Sequence, residues 1–97
     1  MLALSSNSRF ELAEDILLQA LPELDHYYAF NTKDGGNFKL NHTAHWALAA
    51  IAKGVNYSEL VDGYSKEYSL DYKTAEEDLR EVLQSAIKND IIKEVKP

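Results

Sequence analysis

The sequence predicts an α+β fold in which a small antiparallel sheet precedes three compact helices. Two observations carry that expectation. Up to Leu40 the chain runs through short apolar or aromatic stretches separated by turn signals. From residue 42 to residue 89 apolar residues recur at helical spacing in three blocks, each preceded by a residue suited to capping a helix: Asn41, Asn56 and Asp71. At 97 residues the chain supports one domain with a core that needs no staples.

Met1–Ser8 is rich in Ser and Asn after a short apolar start and reads as a loose arm. Arg9–Asp15 is ambiguous, with Ser8 and Glu11 spaced to cap a single helical turn. Ile16–Leu21 is apolar except for Gln19 and reads as a strand. Pro22–Asp25 reads as a turn. His26–Asn31 is a second, aromatic-rich strand, with Tyr27, Tyr28 and Phe30. The Asp34-Gly35 pair that follows is a hairpin signal, because both turn residues tolerate positive φ. Asn37–Leu40 is then a short third strand, with Phe38 and Leu40 on one face.

Helices are expected at 42–53, 57–68 and 73–89. Ala44, Ala47, Leu48 and Ile51 line one face of the first, and Gly54 ends it by taking the left-handed stop. Asn56 with Glu59 forms a capping box for the second, whose apolar face is Leu60, Val61, Tyr64 and Tyr68. Gly63 sits inside that helix at a cost of about 1 kcal/mol against Ala, which points to the close approach of a neighbour or to a kink. The third helix carries Ala75, Leu79, Val82, Leu83 and Ala86 on one face, and Ile91, Ile92 and Val95 read as a tail packed back on the core. Strands followed by three compact helices make a winged-helix-like arrangement. The expected organisation is an N-terminal arm over 1–14 and one domain over 15–97.

The net charge is −6 and the pI about 4.9. A nucleic-acid binder needs a basic face to neutralise phosphates, so this balance argues against one. With no cysteine there is no disulfide, no thiolate nucleophile and no thiolate-held metal or cluster, in keeping with a cytoplasmic location. No apolar run approaches the roughly 20 residues of a membrane span, and Met1–Leu4 is too short for a signal peptide core.

Few residues suggest chemistry. His42 and His45 lie three apart on one helix and could share a metal with His26 or a carboxylate, but His residues near a helix start are more often surface residues. No metal or other cofactor is expected. Glu76, Glu77 and Asp78 form an acidic run early in the third helix, where the helix dipole favours them. Tyr27, Tyr28, Phe30, Phe38 and Trp46 read most simply as core and sheet face, although Trp46 sits beside the apolar stripe of its helix, where partial exposure would suit it to a partner contact. Gly35-Gly36 belongs to a turn, so there is no phosphate loop, and no catalytic constellation is present.

The ordered set Leu40-Asn41, Ala44, Ala47, Leu48, Ile51, Gly54, Asn56 with Glu59, Asp78, Leu79, Val82, Leu83 and Ala86 resembles the family of coenzyme PQQ synthesis protein D (PqqD). It is also similar to the related precursor-peptide recognition elements of ribosomal peptide natural-product pathways. The resemblance spans residues 15–95 and leaves the N-terminal arm without a counterpart. The first helix is more Ala-rich than is usual in that family. What the resemblance implies is a non-enzymatic adaptor. It would bind the leader of a precursor peptide against the third strand and third helix and present it to a modifying enzyme, often a radical S-adenosylmethionine protein. The iron–sulfur chemistry would then belong to that partner.

A physical route to this function exists if the third strand lies at a sheet edge, where an extended peptide can add as another strand. Asn37, Phe38 and Lys39 are the candidate strand-edge residues. Asp78, Leu79, Leu83, Ser85 and Ile87 are candidates on the third helix, the last four as a groove wall. Lys39 is suited to an acidic leader residue and Asp78 to a basic one. The alternatives are a winged-helix DNA-binding protein, which the acidic third helix disfavours, and a protein-interaction module that forms a homodimer.

Overall fold

A computed structural model describes residues 4–5 and 7–95. In chain order the elements are β1 (Arg9–Leu12), β2 (Ile16–Leu21), a 3₁₀ turn (Pro22–Leu24), β3 (His26–Asn31), β4 (Asn37–Leu40), α1 (His42–Ala52), α2 (Tyr57–Tyr68), α3 (Tyr72–Lys88) and β5 (Ile92–Val95). The expected three-stranded sheet followed by three helices is present, with helix bounds within a residue of those read from the sequence.

The sheet is antiparallel in the order β2-β3-β4. Its register sets Leu18 opposite Ala29 and Ala29 opposite Phe38, so these three share the face that meets the helices. Ile16, Leu18, Phe38 and Leu40 pack against the core from that face, and Ala29 is fully buried. The opposite face carries Leu17, Tyr28 and Phe30, and Leu17 is exposed. Period-two alternation, visible in the sequence, is what divides the two faces.

The β3–β4 turn differs from the expected two-residue form. Gly35 alone takes a positive φ, at 76°. Asn31 Oδ1 accepts from the amides of Lys33 and Asp34, and Asp34 Oδ1 accepts from the amide of Gly36. Side-chain oxygens thus hold a longer loop, and Asp34 keeps an ordinary backbone.

The caps form as the sequence indicates. Asn41 Oδ1 accepts from Ala44 N at 2.7 Å, and Asp71 Oδ1 accepts from Thr74 N at 2.7 Å. Asn56 and Glu59 exchange both bonds of a capping box, at 2.8 and 2.9 Å. Each cap satisfies amides that a helix start leaves without partners. Gly54 follows α1 at φ 90°, as expected of a left-handed stop.

The N-terminal region departs from the sequence reading. Arg9–Leu12 forms a strand, where a capped helical turn was one expectation. It pairs antiparallel with β5, Phe10 opposite Glu94. Phe10 is buried in the core, Ser8 O accepts from Tyr57 N at 2.7 Å, and Leu4 packs against the core. The loose arm expected over Met1–Ser8 lies partly outside the described residues. The signal was missed because β1 and β5 are joined by pairing across almost the whole chain, which no local pattern reveals. Ile91, just before β5, and Ile92, its first residue, are buried as the tail reading anticipated, whereas Val95, also expected to pack on the core, is exposed at the strand's end.

The core is closed by α1, α2 and α3, with Leu48, Leu60, Val61, Tyr64, Leu79 and Leu83 almost wholly excluded from solvent. A fully buried side chain of this size contributes about 1.5–3 kcal/mol. Among the described residues no helix is long and apolar enough to cross a membrane.

Candidate functional site

β4 is an edge strand, hydrogen-bonded to β3 on one side only. The Asn31 amide donates to Gly36 O at 2.8 Å, which makes Asn31 and Gly36 a hydrogen-bonded pair. Antiparallel ladders alternate, so the next bonded pairs are Ala29 with Phe38 and Tyr27 with Leu40. The N–H and C=O groups of Asn37 and Lys39 therefore turn away from β3 toward the open edge. Both side chains are exposed, whereas Phe38 and Leu40 point into the protein.

Beside that edge lies a hollow of about 270 Å³ between the end of β4, the start of α1 and α3. Leu40, Ala44, Leu48, Val82, Ala86 and Ile91 give it an apolar lining, and Lys39, Asn41, Glu81 and Ser85 are its polar members. Ala44 and Ala86 face it from two helices. Their short side chains leave room that longer apolar residues would occupy, which gives the unusual alanine content of α1 a physical consequence. Its apolar floor suits a side chain carried in by an added strand.

The residues singled out on α3 separate around the helix axis. Leu79 and Leu83 are 0% exposed and belong to the core. Ser85 lines the hollow. Ile87 follows Ser85 by two positions, about 200° around an α-helix, and so faces the opposite flank. Asp78 is half-buried near the α1–α2 contact. Burial raises the Tyr64 hydroxyl above the usual phenol range, a hydrogen bond with Thr43 offsets part of this, and the Asp78 carboxylate adds to it. The helix face beside β4 is instead built from Glu81, Val82, Ser85 and Ala86, spaced i, i+1, i+4, i+5. Of these, Val82 and Ala86 belong to the apolar series visible in the sequence. Glu81 carries no signal there beyond its charge.

Trp46, read as core or, if exposed, as a partner contact, is half-buried and packs against the core between helices. Its ring packs edge-on to Tyr64 at 5.6 Å and to Tyr68 at 6.2 Å. His42 and His45 join an aromatic cluster. His42 Nδ1 lies 2.8 Å from the Tyr68 hydroxyl, and Tyr27 stacks at a tilt on His45 with ring centroids 4.8 Å apart. Among the described residues no three His, Cys, Asp or Glu side chains converge as a metal site.

Two solved structures share this architecture. One is TbiB1 in complex with the TbiA(beta) leader peptide, at TM-score 0.75 and 22% identity, covering 86% of this chain and 94% of that one. The other is lasso peptide synthetase B1 complexed with the leader peptide, at TM-score 0.75 and 19% identity, covering 88% of this chain and 98% of that one. At these identities the likeness shows the fold alone. No curated protein matches the chain significantly. The family model for coenzyme PQQ synthesis protein D matches residues 26–92, from the start of β3 to the start of β5. That span takes in the β4 edge, the hollow and all three helices, and the chain belongs to the PqqD family.

Proposed function

We propose that this chain is a precursor-peptide recognition element. It takes the leader of a ribosomally made peptide as an added strand on β4, performs no catalytic step of its own, and presents the peptide to a modifying enzyme. The observation that carries this reading is the pairing of an open β4 edge with the apolar hollow against α3. The edge supplies backbone hydrogen bonds, which hold any extended chain, and the hollow supplies a side-chain pocket, which gives preference. Membership of the PqqD family supports the reading, as do two structures of the same fold whose chains each hold a leader peptide.

In this reading Asn37 and Lys39 provide the backbone contacts, and Val82, Ser85 and Ala44 line the side-chain site. Leu79 and Leu83 act from behind by fixing the position of α3. In the branch the sequence most resembles, the enzyme that receives the leader is often of the radical S-adenosylmethionine class.

Isothermal titration with synthetic leader segments, taken from short reading frames encoded beside this chain, tests the proposal. Micromolar or tighter binding that disappears when the leader is truncated is the expected result. A folded protein that binds none of these segments would refute it.

A further inference from the structure

We propose that the groove reads the charge pattern of its peptide through Lys39 and Glu81. It would select a strand with an acidic residue on its outer side and an apolar and a basic residue on its inner side. This rests on the peptide-binding reading and adds to it a rule for the peptide.

Opposite charges flank the place of an added strand. Lys39 borders the hollow from β4 with its side chain on the outer face of the sheet, and Glu81 stands on the helix wall. Both are exposed, and neither has an ion-pair partner among the described residues; Lys66 pairs with Asp62 and Lys93 with Glu11. They do not bridge each other across the hollow. An added strand lies between them and meets each separately.

Strand geometry then fixes which peptide residue meets which wall. The outward-turned backbone of Lys39 makes it a hydrogen-bonding partner of the residue placed directly opposite. That residue's side chain emerges on the same outer face as the Lys39 side chain, where opposite charges attract. An Asp or Glu fits there. Its two neighbours in the peptide point to the inner face, toward α3. One of them enters the apolar lining of Leu40, Ala44, Val82 and Ala86. The other inner-facing positions pass the rim where Glu81 stands, and a Lys or Arg there gains a charged partner without entering the apolar floor. The apolar and basic residues therefore share one parity along the peptide, and the acidic residue has the other.

The test is selection from a surface-displayed library of short random peptides, sorted for binding to the full-length protein. The expected winners place Lys or Arg an even number of positions from an apolar anchor and Asp or Glu at an odd one. With Glu81→Lys the basic position should turn acidic, and peptides selected by the unmodified protein should bind about 5- to 10-fold more weakly. Glu67→Lys, the same charge change on α2 away from the hollow, should leave the preference unaltered. Winners without a charge bias, or a bias that ignores Glu81→Lys, would overturn this inference and leave peptide binding standing. A folded protein that enriches no peptide at all would overturn both.

Discussion

A Cβ placed on Gly63 would lie 3.1 Å from Cη2 of Trp46, so the α1 indole rests directly on the backbone of α2. Of the two readings open for a glycine inside this helix, close approach is the one realised, and α2 runs unbroken from Tyr57 to Tyr68. The indole is held on its other sides by Tyr64 and Tyr68 and has little freedom to retreat. Gly63→Ala gains about 1 kcal/mol of helix propensity and loses about 1–3 kcal/mol to crowding. The expected sum is a loss of about 1 kcal/mol in urea unfolding. In a Trp46→Leu background the same substitution should stabilise, and a double-mutant cycle that showed no coupling would contradict the contact's importance.

Two neighbours on α3 should respond to mutation in opposite ways. Leu83 is fully buried, so Leu83→Ala should cost about 2–5 kcal/mol of stability. Val82 lines the hollow, and Val82→Asp should leave a folded protein that binds its leader at least about 10-fold more weakly, a change of 1.4 kcal/mol. Ala44→Leu should do the same by filling the space. Circular dichroism and titration, run on all three variants, separate the two classes. Undiminished peptide affinity in Val82→Asp would remove the hollow from the site.

Tyr57 opens α2 with its ring in the core and a buried hydroxyl that makes no hydrogen bond of ordinary geometry. Burial first, and the Glu76 carboxylate second, push its ionisation above the usual phenol range. A buried hydroxyl without a partner carries a desolvation cost of about 1–3 kcal/mol. Tyr57→Phe is therefore expected to leave stability unchanged or raise it by up to about 1 kcal/mol. A loss above 1 kcal/mol by chemical denaturation would mean that the hydroxyl has a partner in solution.

His45 should make the protein sensitive to mild acid. Burial, then the neighbouring His42, hold its pKa below the usual imidazole range. The unfolded chain therefore takes up a proton at higher pH than the folded one does. Stability from this group is fully present above the unfolded value of about 6.5, declines as pH falls below it, and is lost through the lower folded pKa. His45→Gln should flatten the melting temperature between pH 7 and 5 relative to the unmodified protein. An identical slope in both would exclude His45 as the source.

The helices were legible because their ends are local affairs. Asn41, Asn56 with Glu59, and Asp71 bond to amides three residues away, so residue identity and spacing suffice to place them. The β2, β3 and β4 strands were legible for a similar reason, since their alternation and turns are written in neighbouring residues. The turn's form was not, because Asp34-Gly35 suits a two-residue hairpin and the longer loop depends on Asn31 accepting two amides.

The candidate site was legible by half. A short strand after a hairpin made β4 a candidate edge with Asn37, Phe38 and Lys39 on it, and the strand order makes it one, with Phe38 turned into the core. Which side of α3 faces that edge did not follow. Leu79, Val82, Leu83 and Ile87 are all apolar, and packing put Leu79 and Leu83 in the core and left the wall to Glu81, Val82 and Ser85.

The sequence by itself determined the order of β2 to β4 and the three helices, the helix caps and bounds, the inner face of the sheet and the kinship of the chain. Each is set by interactions within a few residues or by an ordered pattern of them. Only the tertiary structure decided that Arg9–Leu12 pairs with Ile92–Val95, that Trp46 is spent on Gly63, and how α3 is rotated beside β4. These depend on contacts between residues far apart in the chain, where the competition among many apolar groups for one core selects the arrangement.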